Sequence, residues 1–147
     1  MDAIDTKILH ELENDGRVTN LQLAERVGLS PSACLRRVQI LEGAGIIKGY
    51  KAVLDRSQLG AALVVFVTVG LSGQLQRDAH AFERAMAAAP EVRECHNVTG
   101  SVEYLLRVEV ADLAEYKHFH SDVLGTLSQV SSITSHVCLG SSKDLRA

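Results

Sequence analysis

The sequence predicts an α+β chain in two parts, an N-terminal helix-turn-helix and a C-terminal βαββαβ unit. Three observations point there. Apolar residues recur at helical spacing over residues 4–41, interrupted by glycine-containing turns. A continuous apolar run, LVVFVTVGL over residues 63–71, then changes the period to that of a strand. From that run onward, strand-like and helix-like stretches alternate in the order β, α, β, β, α, β. The expected division is 1–54 for the first domain, 55–62 for a linker and 63–147 for the second.

In the first domain, Asp2 or Asp5 can cap a helix with Ile4, Ile8, Leu9 and Leu12 on one face, ending at the Asn14-Asp15-Gly16 turn. Thr19 caps a second helix with Leu23, Ala24 and Val27 inward, stopped by Gly28. A third begins at Ser30 with Pro31 at the first helical position, where the missing N–H costs nothing, and stops at Gly43 and Gly45. Its stripe Cys34, Val38 and Leu41 faces the first two helices, which leaves Ser32, Ala33, Arg36 and Arg37 toward solvent or the flank. Residues 46–54 alternate like a strand that either forms a small wing or leads into the next domain.

In the second domain, strands are expected at residues 63–71, 92–98, 103–110 and 130–139. Helices lie between them, one with Leu75, Ala79, Phe82 and Met86 inward and one with Leu113, Tyr116, His120, Val123 and Leu127 inward. This is the ferredoxin-like order, an antiparallel sheet with both helices on one face. Both alternating sets of the first strand are apolar, so the open sheet face calls for a cover, and a second copy of the chain is the expected one.

Composition excludes several function classes. The chain has 147 residues, enough for a core without staples, and an ordinary 46% hydrophobic and 22% charged content. With no Trp, three Phe and three Tyr, it lacks an aromatic platform for single-stranded nucleic acid. Its three cysteines, without CxxC spacing, suit a reducing compartment. No signal peptide or membrane span is read, and a cytoplasmic location is expected. The net charge of −3 comes entirely from residues 58–147, where seven basic residues face ten acidic ones. Over residues 29–51, Arg36, Arg37, Lys48 and Lys51 face only Glu42, a local phosphate footprint on a neutral domain.

Two helices joined by a tight glycine turn, with the second opening on Ser-Pro and carrying paired arginines, match a helix that enters the major groove of double-stranded DNA. Arg36-Arg37 alone would suit any solvated helix face; the context raises it to a DNA contact. Cys95-His96 with His136 and Cys138 invites a metal reading, but adjacent strand residues face opposite sides, so no metal site is expected. His118 and His120 also diverge, His118 toward solvent and His120 at the core edge. No nucleophile, base and oxyanion device converge in the pattern, so no enzyme and no cofactor are expected.

The stretch LAERVGLSPSACLRRVQILEGAGIIKGYKAVLD, followed by NVTGSVEYLLRVEV inside a βαββαβ unit, resembles the Lrp/AsnC (leucine-responsive, or feast/famine) transcription regulators over nearly the whole chain. The resemblance implies a winged helix-turn-helix joined to an effector-sensing and oligomerisation domain, with dimers that assemble further, often to octamers. It also implies an amino acid or related metabolite bound between dimers. On the family's motif, Ser30, Ser32, Ala33, Arg36 and Arg37 match the part that faces DNA, and Lys48 belongs to the same basic patch. Thr99, Gly100, Ser101 and Glu103 match the effector turn, where Glu stands in place of the usual Asp. Thr134, Ser135 and His136 match the last-strand wall of that site. The competing reading is an architectural protein that wraps DNA without an effector; the two share every DNA-facing residue and differ only at the turn.

Overall fold

The computed structural model describes residues 1–73 and 75–146. The chain divides into two compact units, Met1–Val53 and Leu54–Ala147.

The first unit is three helices: α1 (Ala3–Asn14), α2 (Asn20–Val27) and α3 (Pro31–Gly43). Each starts on a side-chain cap. Asp2 accepts from the amides of Ile4 and Asp5, while the Asp5 carboxylate accepts from the Asp2 amide, a reciprocal box. Thr19 and Gln22 make the same exchange at α2, and Ser30 accepts from Ala33 at α3. Gly28 ends α2 in the left-handed region at φ +77°, so the chain reverses there without a Cβ clash. Ile8, Leu23, Ala24, Val27, Cys34 and Leu41 form the buried core, and Ile47 packs against it. The strand expected over residues 46–54, and with it the wing, is absent. Alternation is not sufficient when the unit offers no second strand to pair with.

The second unit opens with a 3-10 turn, Arg56–Leu59, inside the stretch expected to be a linker. Four strands follow, β1 (Leu63–Leu71), β2 (Val92–Asn97), β3 (Tyr104–Val110) and β4 (Val130–Val137), in the antiparallel order β2-β3-β1-β4. Helix α4 (Gln76–Ala88) joins β1 to β2. Helix α5 (Leu113–His118) continues into a π-helical turn, Phe119–Leu124, before β4. Val65, Val67 and Val69 of β1 and Leu106 and Val108 of β3 are fully buried against Phe82 and Met86 of α4 and Phe119 and Leu124 after α5. Each such side chain contributes about 1.5–3 kcal/mol through burial.

Two inward assignments differ from expectation. Leu75 precedes α4 as its N-cap and is exposed, and Leu113 is exposed at the first position of α5. The π turn lengthens the spacing between inward positions, so Phe119 and Leu124 take the core places expected from a regular helical repeat. His120 stands edge-on to Tyr116 at 6.1 Å, and His118 is exposed and 2.6 Å from Asp122, as read.

The open sheet face is not purely apolar. Phe66 lies there with the Arg107 guanidinium 5.4 Å above its ring, and Arg107 lies 3.5 Å from Glu109 and 3.7 Å from Glu94. Arg56 pairs with Glu109 at 2.7 Å. Arg146 reaches Glu94 at 2.6 Å, so the stretch after β4 runs over this face toward the opposite edge strand.

Candidate functional site

Each unit carries one cluster of the expected residues. In the first unit, the turn at Gly28 and Leu29 delivers the chain into α3. Ser30, Ser32 and Arg36 are exposed on the first two turns of that helix, and Ala33 is half-buried beside them. Cys34 and Leu41 are buried on the opposite side, so the helix is anchored by one face and presents the other. Ser30 and Ser32 hydroxyls lie 3.4 Å apart. Lys48 is exposed after the Gly45 turn.

Arg37 departs from its expected outward position. It is half-buried, and its Nη1 lies 2.8 Å from both carboxylate oxygens of Asp2 and 2.9 Å from Oδ1 of Asp5. Helical geometry explains the difference from Arg36: consecutive residues point about 100° apart, so one faces solvent while the next faces α1. The Arg37 hydrogen bond, with the Asp5 amide, holds the Asp2 carboxyl down to about 2. Asp2 and Asp5 were legible as caps but not as partners of a residue more than 30 positions away. Asn20 was missed as well: its Nδ2 donates to the Pro31 carbonyl at 2.8 Å.

In the second unit, Thr99, Gly100 and Ser101 form the exposed turn between β2 and β3, with Gly100 at φ +118°. Glu103 is half-buried just beyond it. Its Oε2 accepts from the Leu71 amide at 2.7 Å, and its own amide donates to the Val69 carbonyl at 3.1 Å. The carboxylate is therefore anchored on the end of β1, where the β1–β4 register shifts between Gly70 and Leu71. Nothing in the local sequence pairs Glu103 with Leu71; the register does.

The last-strand residues separate. Thr134 lies opposite Thr68 and His136 opposite Phe66, both on the open face. Ser135 lies opposite Val67 on the helix side, where its hydroxyl meets that of Tyr116. The three are not one wall, because adjacent strand residues alternate. Ser132, opposite Gly70, is the β4 residue nearest the level of Glu103. Cys95 and His96 split in the same way: Cys95 packs against the core, with burial pushing its thiol up, and His96 is exposed beside Glu94. A cleft of about 380 Å³ between α4 and β2, lined by Glu83, Met86, Val92, Arg93 and Cys95, includes none of the turn residues in its lining.

These two clusters sit on two family signatures. Residues 1–42 match the AsnC-type helix-turn-helix domain, and residues 64–147 match the Lrp/AsnC ligand binding domain. The chain belongs to the Lrp/AsnC family of transcriptional regulators. The leucine-responsive regulatory protein of Rhizobium meliloti strain 1021 is 44% identical over 144 residues, covering 98% of this chain and 92% of that protein. Its counterpart in Escherichia coli K12 is 40% identical over 139 residues, covering 95% and 85%. Among solved structures, a transcriptional regulator from Neisseria meningitidis in complex with L-Met superposes at a TM-score of 0.94 with 36% identity, covering 98% of this chain and 93% of that one. An AsnC family regulator from Agrobacterium tumefaciens gives 0.92 at 32% identity, covering 98% and 94%. This Lrp/AsnC chain is a transcription regulator with a helix-turn-helix and a ligand-binding domain. Among its described residues, no helix is long and apolar enough to cross a membrane.

Proposed function

We propose that this Lrp/AsnC regulator reads double-stranded DNA with the first two turns of α3 and that its sheet unit senses an amino acid at the β2–β3 turn. Ser30, Ser32, Ala33 and Arg36 face the groove, and Lys48 meets flanking phosphate. The DNA part rests on the exposed early turns of a helix whose other face is buried. The sensing part rests chiefly on one observation: a regulator of the same fold, matched over 98% of this chain, was solved as an L-Met complex.

The turn suits such a ligand chemically. Backbone N–H groups around Gly100 can take a carboxylate. Glu103 uses Oε2 on the Leu71 amide, which leaves its other oxygen for an ammonium group. Thr134 and His136 belong to this reading as open-face residues; Ser135, occupied by Tyr116, does not. The working form is a homodimer that assembles further, to an octamer, with the effector between dimers. A ligand that prefers one assembly shifts the balance, and DNA affinity follows by linkage.

A thermal-shift screen of the twenty protein amino acids tests this reading. A true effector at a hundred times its Kd adds about 2.7 kcal/mol of stability. The Glu103→Ala variant then loses that ligand's binding by calorimetry while keeping basal DNA affinity. Light scattering with and without the ligand reads the assembly. If no amino acid shifts the melting temperature, the sensing role fails and the architectural DNA-wrapping alternative takes its place.

A further inference from the structure

Two adjacent arginines on α3 are treated differently by the fold. Arg36 is exposed and, among the described residues, makes no ion pair. Arg37 is held by three charge-assisted contacts of 2.8–2.9 Å from two carboxylates. Those carboxylates are themselves fixed. Oδ1 of Asp2 also accepts from the amides of Ile4 and Asp5, and the Asp5 carboxylate returns a bond to the Asp2 amide. One guanidinium thus closes the start of α1 onto the middle of α3.

Swinging Arg37 out to a phosphate would break all three contacts and leave two like charges facing each other. Its positive charge is also more than balanced by the two aspartates, so it adds little to the field that DNA meets. A second tie acts at the other end of the exposed stretch. The Asn20 side chain donates to the carbonyl of Pro31, the first residue of α3, at 2.8 Å. The reading stretch of α3 is therefore tied to α2 at its start and to α1 at Arg37, with Ser32, Ala33 and Arg36 between the two ties. Base reading needs side chains held to about 0.5 Å, which core packing together with such supporting ties provides.

We infer that Arg37, with Asp2 and Asp5, is a positioning cluster that sets the orientation of the DNA-reading helix, so that Arg37 contributes to sequence discrimination without touching DNA and Arg36 is the α3 cation that contacts it. This rests on the reading that α3 enters the groove.

The test uses the full chain and two duplexes of equal length, one carrying a site selected in vitro by the wild type from a random pool and one of mixed sequence. Affinity is measured for both across a salt series. Arg36→Ala is expected to lower the log–log salt slope by about one, or to lose affinity for the selected site by about tenfold. Arg37→Ala is expected to leave the slope on the mixed duplex unchanged and to cut the selected-to-mixed ratio by about tenfold. Asp2→Asn with Asp5→Asn is expected to cut that ratio similarly, although it removes two negative charges, and to add nothing when combined with Arg37→Ala.

Asn still caps α1, so this pair decides the matter if Arg37→Ala fails to fold. A slope that falls by about one in Arg37→Ala, or a wild-type ratio in the Asp2→Asn/Asp5→Asn pair, overturns the positioning role alone. Unchanged binding of both duplexes by Arg36→Ala overturns the α3 reading and this inference with it.

Discussion

The two units of this regulator are held together by different means. In the helix-turn-helix unit, six residues are buried in the core, and the helices are cross-tied by side chains: Asp2 and Asp5 to Arg37, Asn20 to Pro31, and Glu11 to Arg26. In the sheet unit, thirteen residues are buried, and backbone ladders with β1 paired on both edges carry the fold, with side-chain ties such as Arg56 to Glu109 and Glu103 to the Leu71 amide added to them. A site on the first unit can therefore be moved by changing one charged side chain. The placement of a site on the second is set first by the register of its ladders. The difference teaches where mutation reports on function and where it reports on folding.

The largest expected effect breaks the sheet unit. Val67→Asp puts an unpaired charge at a fully buried position on the central strand, and a loss of about 3–5 kcal/mol is expected in urea unfolding. A loss below about 1 kcal/mol would mean that β1 is not the centre of the core. Next, Ile8→Ala opens a cavity in the smaller core at a cost of about 2–5 kcal/mol, measured by the same method with DNA binding lost in parallel.

Ser30→Ala removes the α3 cap and is expected to cost about 1 kcal/mol. Calorimetric melting resolves that difference, and a neutral result would show that Pro31 alone starts the helix. The smallest effect is a pH response in the first unit. Asp2 is held at about 2 against an ordinary 3.8, so its contribution is complete above about pH 4 and is lost as pH falls toward 2. The acid slope of the melting temperature in that window should flatten in Asp2→Asn, while the slope above pH 5 stays as in the wild type.

Much of the first unit was legible because its instructions are local. Asp2, Thr19 and Ser30 cap the helices that follow them, and Gly28 supplies the one left-handed residue the turn needs. The partner of Arg37 was not legible, because side-chain ties across more than 30 residues leave no periodic mark. In the sheet unit the succession of strands and helices along the chain was readable from the change of period, whereas the anchoring of Glu103 by Leu71 depends on register and was not. The triplet Thr134, Ser135 and His136 read as one surface in sequence, and pleating divides it. His120 and Val123 were read inward where Phe119 and Leu124 take the core places, because the π turn after α5 breaks the 3.6 repeat that periodicity assumes.

The central place of β1 has a consequence for how the chain is made. The core and the cross-ties of helices α1 to α3 lie within residues 2–47, so this unit can close before β1 has emerged. β1 emerges next as nine residues without charge or proline, and its two ladder partners, β3 and β4, begin at Tyr104 and Val130. At about 5–20 residues per second, roughly 3–13 s pass between the exit of Leu71 and that of Val137. Both edges of this apolar strand are open until β3 has emerged at Val110, and the β4 edge stays open for the whole interval. Slow synthesis, or a nascent-chain-binding chaperone in short supply, would therefore expose this regulator to aggregation through β1 while its DNA-reading half is already folded.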